Sequence, residues 1–101
     1  MANETVSEIS RHLIAVYVAL RDATAWTTNR EIAIKTVGVS ERTVRAHTKK
    51  LVRLGIAEQW ETFGGYFYRL RSQLDEVAIT VRDRLDEAVL ITTAHDSALN
   101  T

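Results

Sequence analysis

Apolar residues recur at helical spacing along the first quarter of the chain. Val6, Ile9, Leu13, Val16 and Leu20 alternate steps of three and four, which puts them on one face of a helix over residues 5–24. Ile14 and Tyr17 widen that stripe. Thr28-Asn29-Arg30-Glu31 then has the form of a capping box, a hydroxyl at the cap and a Glu three residues later. A short second helix follows through Ile32, Ala33 and Ile34 to about Val37, where Gly38 can take the left-handed conformation that ends it. Ser40 is a good cap for a third helix, which runs to about Leu54 and stops at Gly55.

Beyond Gly55 the period changes. Two aromatic-rich segments, IAEQWETF and YFYRL, flank Gly64-Gly65. This predicts a β-hairpin with both glycines at the positive φ that a type I′ turn requires. The strand register stays open, because a longer loop would shift every pair. Residues 72–98 return to helical spacing. Leu74, Ala78, Val81, Leu85, Ala88, Thr92, His95 and Leu99 form a heptad seam, flanked by Val77 and Val89. Asp75, Glu76, Asp83, Asp86 and Glu87 occupy the far face. The order is three helices, a hairpin and a helix: a mainly α chain with a small β-hairpin, α+β in class.

The chain of 101 residues has the length of a single domain. At this size burial is moderate, so an interface with a second copy would add stability. There is no cysteine, which excludes disulfides, thiolate metal sites and cysteine nucleophiles. No apolar run approaches membrane-spanning length. MANETVSEIS lacks the charged-then-apolar layout of a signal peptide, so the expected location is cytoplasmic.

The formal net charge is zero, but it is unevenly distributed. Residues 30–71 carry nine Lys or Arg against Glu31, Glu41, Glu58 and Glu61, a net of +5. Residues 72–101 carry Arg82 and Arg84 against six acidic side chains, a net of −4. Such segregation fits one face directed at a polyanion; scattered surface charge is the plainer alternative. The third helix sharpens the pattern. At roughly 100° per residue, Val44, Thr48, Leu51 and Val52 share one face. Arg42, Ala46, Lys49 and Arg53 fall within about 40° of the opposite direction, bordered by Arg45 and Lys50. A small residue amid long basic ones lets a helix approach closely and reach phosphates or base edges. A merely solvated basic face is again the plainer alternative.

The conjunction of short helix, tight turn, basic helix and glycine-tipped hairpin is more specific. TNREIAIKTVGVSERTVRAHTKKLVRLGIAEQWETFGGYFYRL resembles the winged helix-turn-helix domain of bacterial and archaeal transcription regulators of the MarR, ArsR and IclR types. The matching elements are REIA, GVS, TV, KKLVRLG and an aromatic strand ending in RL. They cover about residues 28–70. Archaeal winged-helix proteins with a C-terminal coiled coil are a second resemblance in layout. The resemblance implies a recognition helix in the major groove of double-stranded DNA. Ser40, Arg42, Thr43, Arg45, Ala46, Lys49 and Lys50 match the family's DNA-contacting positions there, and Arg53 joins them on the basic face. Thr28 and Asn29 match phosphate-contacting positions, and the hairpin would be the wing, with Gly64 and Gly65 against DNA. Two departures stand out: Thr48 replaces a usual leucine, and the wing tip TFGGYF carries no Lys or Arg.

On this reading the chain is one winged-helix domain, helices and wing over 5–70 and a dimerisation helix over 72–98. Leu74, Ala78, Val81, Leu85 and Ala88 would form the homodimer interface. A DNA-binding transcriptional regulator is the leading function. An architectural or plasmid-maintenance DNA-binding protein and a winged-helix protein-interaction adaptor are the alternatives. His12, His47 and His95 lack paired metal ligands one helical turn apart, so no metal site is expected. The carboxylates of 83–87 sit on a polar helix face without a predicted pocket, and every glycine has a turn explanation, so no enzyme activity and no cofactor are expected. A small-molecule effector is left open.

Overall fold

The computed structural model of the protein describes residues 10–99, with side chains through residue 92. The expected positions Val6 and Ile9 lie outside the described residues, as do the side chains of His95 and Leu99. The chain forms α1 (Arg11–Asp22), α2 (Asn29–Lys35), α3 (Glu41–Arg53), β1 (Ala57–Thr62), β2 (Gly65–Leu70) and α4 (Glu76–Leu99). This is the mainly helical, one-hairpin architecture that the periodicity predicts.

Hydroxyls start three of the helices. The side chains of Ser10, Thr28 and Ser40 accept the backbone N–H groups of Leu13, Glu31 and Thr43, satisfying donors that the first turn leaves unpaired. Only half of the capping box forms at α2, because the Glu31 carboxylate takes the Thr27 hydroxyl instead (2.8 Å). Helix α2 ends at Lys35, two residues earlier than its spacing suggests. Thr36 turns extended, and its N–H and hydroxyl both bond the Ile32 carbonyl. Helix α4 begins at Glu76 rather than 72, because Asp75 Oδ1 accepts the Ala78 N–H (2.8 Å).

The end of α3 is a Schellman motif. Ile56 N–H donates to the Leu51 carbonyl and Gly55 N–H to that of Val52, with Gly55 at φ +81. This turn sends Ile56, fully buried, into the core. Leu13, Val16, Tyr17 and Leu20 of α1 meet Ile32, Val44 and Leu51 there, with Tyr68 of β2 and Ala78 and Leu85 of α4. Tyr17 also donates its hydroxyl to Asp86. Burial, and then that hydrogen bond, push its phenol well above the ordinary tyrosine range.

The hairpin differs from the expected turn. Thr62 pairs with Gly65 and Trp60 with Phe67, so Phe63 and Gly64 are the turn residues. Neither has positive φ; Gly65 does, at +135. A type I′ turn over Gly64-Gly65 is therefore absent. The register runs one residue against one from Thr62↔Gly65 to Ala57↔Leu70, without a bulge, so the positive φ falls on the first residue of the returning strand, a conformation that glycine adopts without strain. The Thr62 hydroxyl braces it through the Gly65 carbonyl (2.9 Å). A third strand position, which the periodicity does not reveal, joins the sheet: Thr27 and Tyr68 exchange both backbone hydrogen bonds (2.9 and 2.7 Å).

The two glycines should respond differently to substitution. Gly65→Ala should cost about 1–3 kcal/mol through backbone strain, whereas Gly64→Ala should be near neutral. Denaturant unfolding of both variants checks this; equal losses would contradict the observed turn.

Candidate nucleic-acid interface

Helix α3 turns its two faces as the wheel predicts. Val44, Thr48 and Leu51 are buried, while Arg42, Arg45, Ala46, Lys49 and Arg53 are exposed. Its basic face forms one wall of an open cleft of about 1050 Å³. Arg45, Ala46, Lys49 and Arg53 stand on that wall, and Gly64, Gly65 and Tyr66 of the hairpin stand opposite. Thr28, Asn29 and Arg30, from the start of α2, complete it. The cleft thus brings together Thr28, Asn29, Arg45, Ala46, Lys49, Arg53, Gly64 and Gly65 from the positions expected to bind nucleic acid. Ser40 directly precedes the cleft-lining Glu41 but does not itself line the cleft. Arg42, Thr43 and Lys50 belong to α3 but do not line the cleft.

Sequence reasoning missed Arg30, Gln59 and Tyr66, which also line it. Arg30 carries a signal, since it directly follows two positions already assigned. Gln59 and Tyr66 carry none until the register is known. That register puts Gln59, Glu61, Tyr66 and Tyr68 on one face of the hairpin and Glu58, Trp60, Phe67 and Arg69 on the other. The outer face is occupied by its own contacts. Arg69 pairs with Glu58 and lies 4.2 Å from the Trp26 ring, which meets Trp60 in turn. Arg69 is thus directed away from the cleft.

Four cations line the cleft, Arg30, Arg45, Lys49 and Arg53, against one carboxylate, Glu41. Glu41 and Arg45 form an exposed pair one helical turn apart (3.8 Å), too weak to hold the guanidinium against a phosphate. The cleft therefore offers mobile positive charge around the small Ala46, a surface complementary to a polyanionic ridge. On the opposite side of α3, His47 meets His12 edge to face at 6.4 Å. Burial lowers the His47 pKa, and His12 and Lys50 lower it further.

Thr48 explains its departure from leucine. Its fully buried hydroxyl donates to Asn29 Oδ1 (2.8 Å), with the Arg45 carbonyl oxygen also in reach (3.1 Å). The bond ties α3 to the first residue of α2 and commits the Asn29 side-chain oxygen to the interior.

The proposed dimer seam is partly used within the chain. Ala78 and Leu85 are buried in its own core, at 1% and 0% exposure, and Leu74 and Val81 pack against that core. Ala88 is half-buried, and Leu90 and Ile91 beyond it are exposed at 71% and 63%. Among the described residues, no helix is long and apolar enough to cross a membrane.

No family model matches the chain, and no curated protein matches it. Among solved structures it is similar to one described as "a possible HxlR family transcriptional factor from Thermoplasma volcanium GSS1". The TM-score is 0.64 at 17% identity, over 91% of this chain and 82% of that one. The fold is thus that of a winged-helix protein.

Thr48→Val keeps the shape of the side chain and removes the bond to Asn29. It should cost about 1 kcal/mol or somewhat more, and a double-mutant cycle with Asn29→Ala should show most of that loss as coupling. Coupling near zero would mean that the bond does not join the helices.

Proposed function

We propose that the chain is a DNA-binding transcriptional regulator that acts as a homodimer. The observation that carries this reading is the cleft, which gathers α3's basic face, the start of α2 and the wing around one ridge-shaped space. In the proposed complex α3 lies in the major groove, with Ala46 permitting close approach and Arg45, Lys49 and Arg53 reaching bases or phosphates. The likeness to a structure described as a transcription factor supports the same reading. Binding is the proposed activity, with no catalytic step.

Arg45→Ala and Lys49→Ala test the recognition helix separately. A base-reading side chain should cost about 1–3 kcal/mol and relax specificity, while a phosphate contact should weaken all sequences alike and flatten the salt dependence. Fluorescence anisotropy on a selected genomic site and on random duplex, at fixed salt, reads both effects. Equal affinity for the two duplexes would favour the architectural alternative. Unchanged affinity in both variants, with folding intact, would remove α3 from the interface.

The homodimer is proposed through the part of α4 that the core leaves open, Ala88, Leu90 and Ile91. A two-fold dimer sets two recognition helices about 34–36 Å apart, one turn of DNA. Leu90→Asp should shift sedimentation at tens of micromolar towards the monomer without unfolding the chain; Leu85→Asp cannot serve, since it puts an unpaired charge into the chain's own core. A wild-type monomer, or a Leu90→Asp dimer of unchanged affinity, contradicts this interface.

A further inference from the structure

Phe63 is the most exposed large apolar side chain among the described residues, at 112%. It occupies a two-residue hairpin turn, where Gly, Asn, Asp and Ser are usual because they take positive φ or hydrogen-bond their own backbone, and a phenyl ring does neither. No aromatic or cationic contact among the described residues involves it. Thr62 to Tyr66 carry no charge, so the tip has no cation to offer a phosphate.

The cleft indicates where this tip would go. A phosphate ridge separates the major from the minor groove. If α3 occupies the major groove, a cleft straddling that ridge carries its other wall across the phosphates. Gly64, Gly65 and Tyr66 form that wall, and Phe63, one residue further out, reaches the minor groove first. The two glycines present no side chain that would keep the tip away from the sugar edges. An uncharged aromatic ring there gains by covering sugar faces or entering a base step, as apolar wedges in that groove do.

We propose that Phe63 is an apolar wedge of the wing that unstacks and bends DNA at a minor-groove base step beside the site read by α3. This rests on the DNA-binding reading and adds a mode of sequence discrimination. Pyrimidine–purine steps such as TA open and kink with least cost, so they are favoured opposite the wing without a hydrogen bond to any base.

The test uses the full chain and duplexes of about 30 base pairs rich in TA steps, at low salt to retain binding. 2-Aminopurine replaces adenine at those steps, and end-to-end energy transfer reports the bend. Wild type should raise the 2-aminopurine fluorescence and bend the duplex by some tens of degrees, within roughly 20–90°. Phe63→Ala should still bind, about tenfold more weakly, and lose most of both signals. Phe63→Trp should keep them. Arg45→Ala should weaken binding yet leave the bend of the bound duplex intact.

Equal fluorescence and bend with wild type and Phe63→Ala would overturn the wedge alone. So would a straight, stacked duplex in the wild-type complex. A change in sedimentation of Phe63→Ala with the bend unaltered would assign the ring to a second copy and likewise overturn it. Wild type that binds no duplex at any salt would overturn the wedge and the DNA reading together.

Discussion

Three consecutive residues join the parts that make the cleft. Thr27 exchanges two backbone hydrogen bonds with Tyr68 and so fixes the hairpin. Thr28 caps α2 with its hydroxyl. Asn29 accepts the buried hydroxyl of Thr48 and so fixes α3. Wing, first helix of the turn and basic helix therefore share one short anchor. A shift at this anchor moves both walls relative to each other. Each bond is modest alone, but Tyr68 and Thr48 are both buried, and an unpaired polar group there would be costly. The cleft's shape is thus held by satisfied polar groups within an apolar core, which favours one arrangement over others.

The neutral total charge combines a basic middle with an acidic final segment of the chain. Four cations line the cleft, and none of the carboxylates of α4 does. Within α4, Asp86 is drawn into the packing, where it receives the Tyr17 hydroxyl and lies 3.9 Å from Arg21. Asp83 and Glu87 are exposed. They add charge to the surface without adding repulsion at the cleft itself.

Much of this was legible from spacing. The stripe Val44, Thr48, Leu51 marks α3's buried face because a 3.6-residue period leaves few alternatives. The caps at Thr28 and Ser40 follow from hydroxyl chemistry that acts within one turn. Information failed where it depended on contacts distant in sequence. The Thr27–Tyr68 pairing spans residues without a shared local pattern, and the side on which Tyr66 and Gln59 face depends on the register. A glycine pair shows that a turn is present, but not which residue carries the positive φ. The α4 heptad is ambiguous for the same reason. Its period is satisfied equally by a partner helix and by α1, and Leu85 lies against the chain's own core.

On the proposed DNA-binding reading, charge makes one copy of the cleft a weak reader. Four cations line it; were each to neutralise one phosphate, the salt slope would be at most about −3.6, against roughly −10 for a strong repressor. Glu41 reduces that further. A single cleft thus supplies a limited phosphate term, and two clefts on one duplex would double it. A second copy also makes binding of the second half-site effectively intramolecular. The apolar wing tip fits the same economy of charge. On the same reading, with few cations to hold the duplex, contact area at Phe63 and close approach at Ala46 would carry a larger share of the affinity. Those terms depend on shape and base step, whereas phosphate contacts are blind to sequence. If the chain binds DNA as proposed, its neutral total and small basic cleft would therefore suit it better to choosing among sites than to coating DNA.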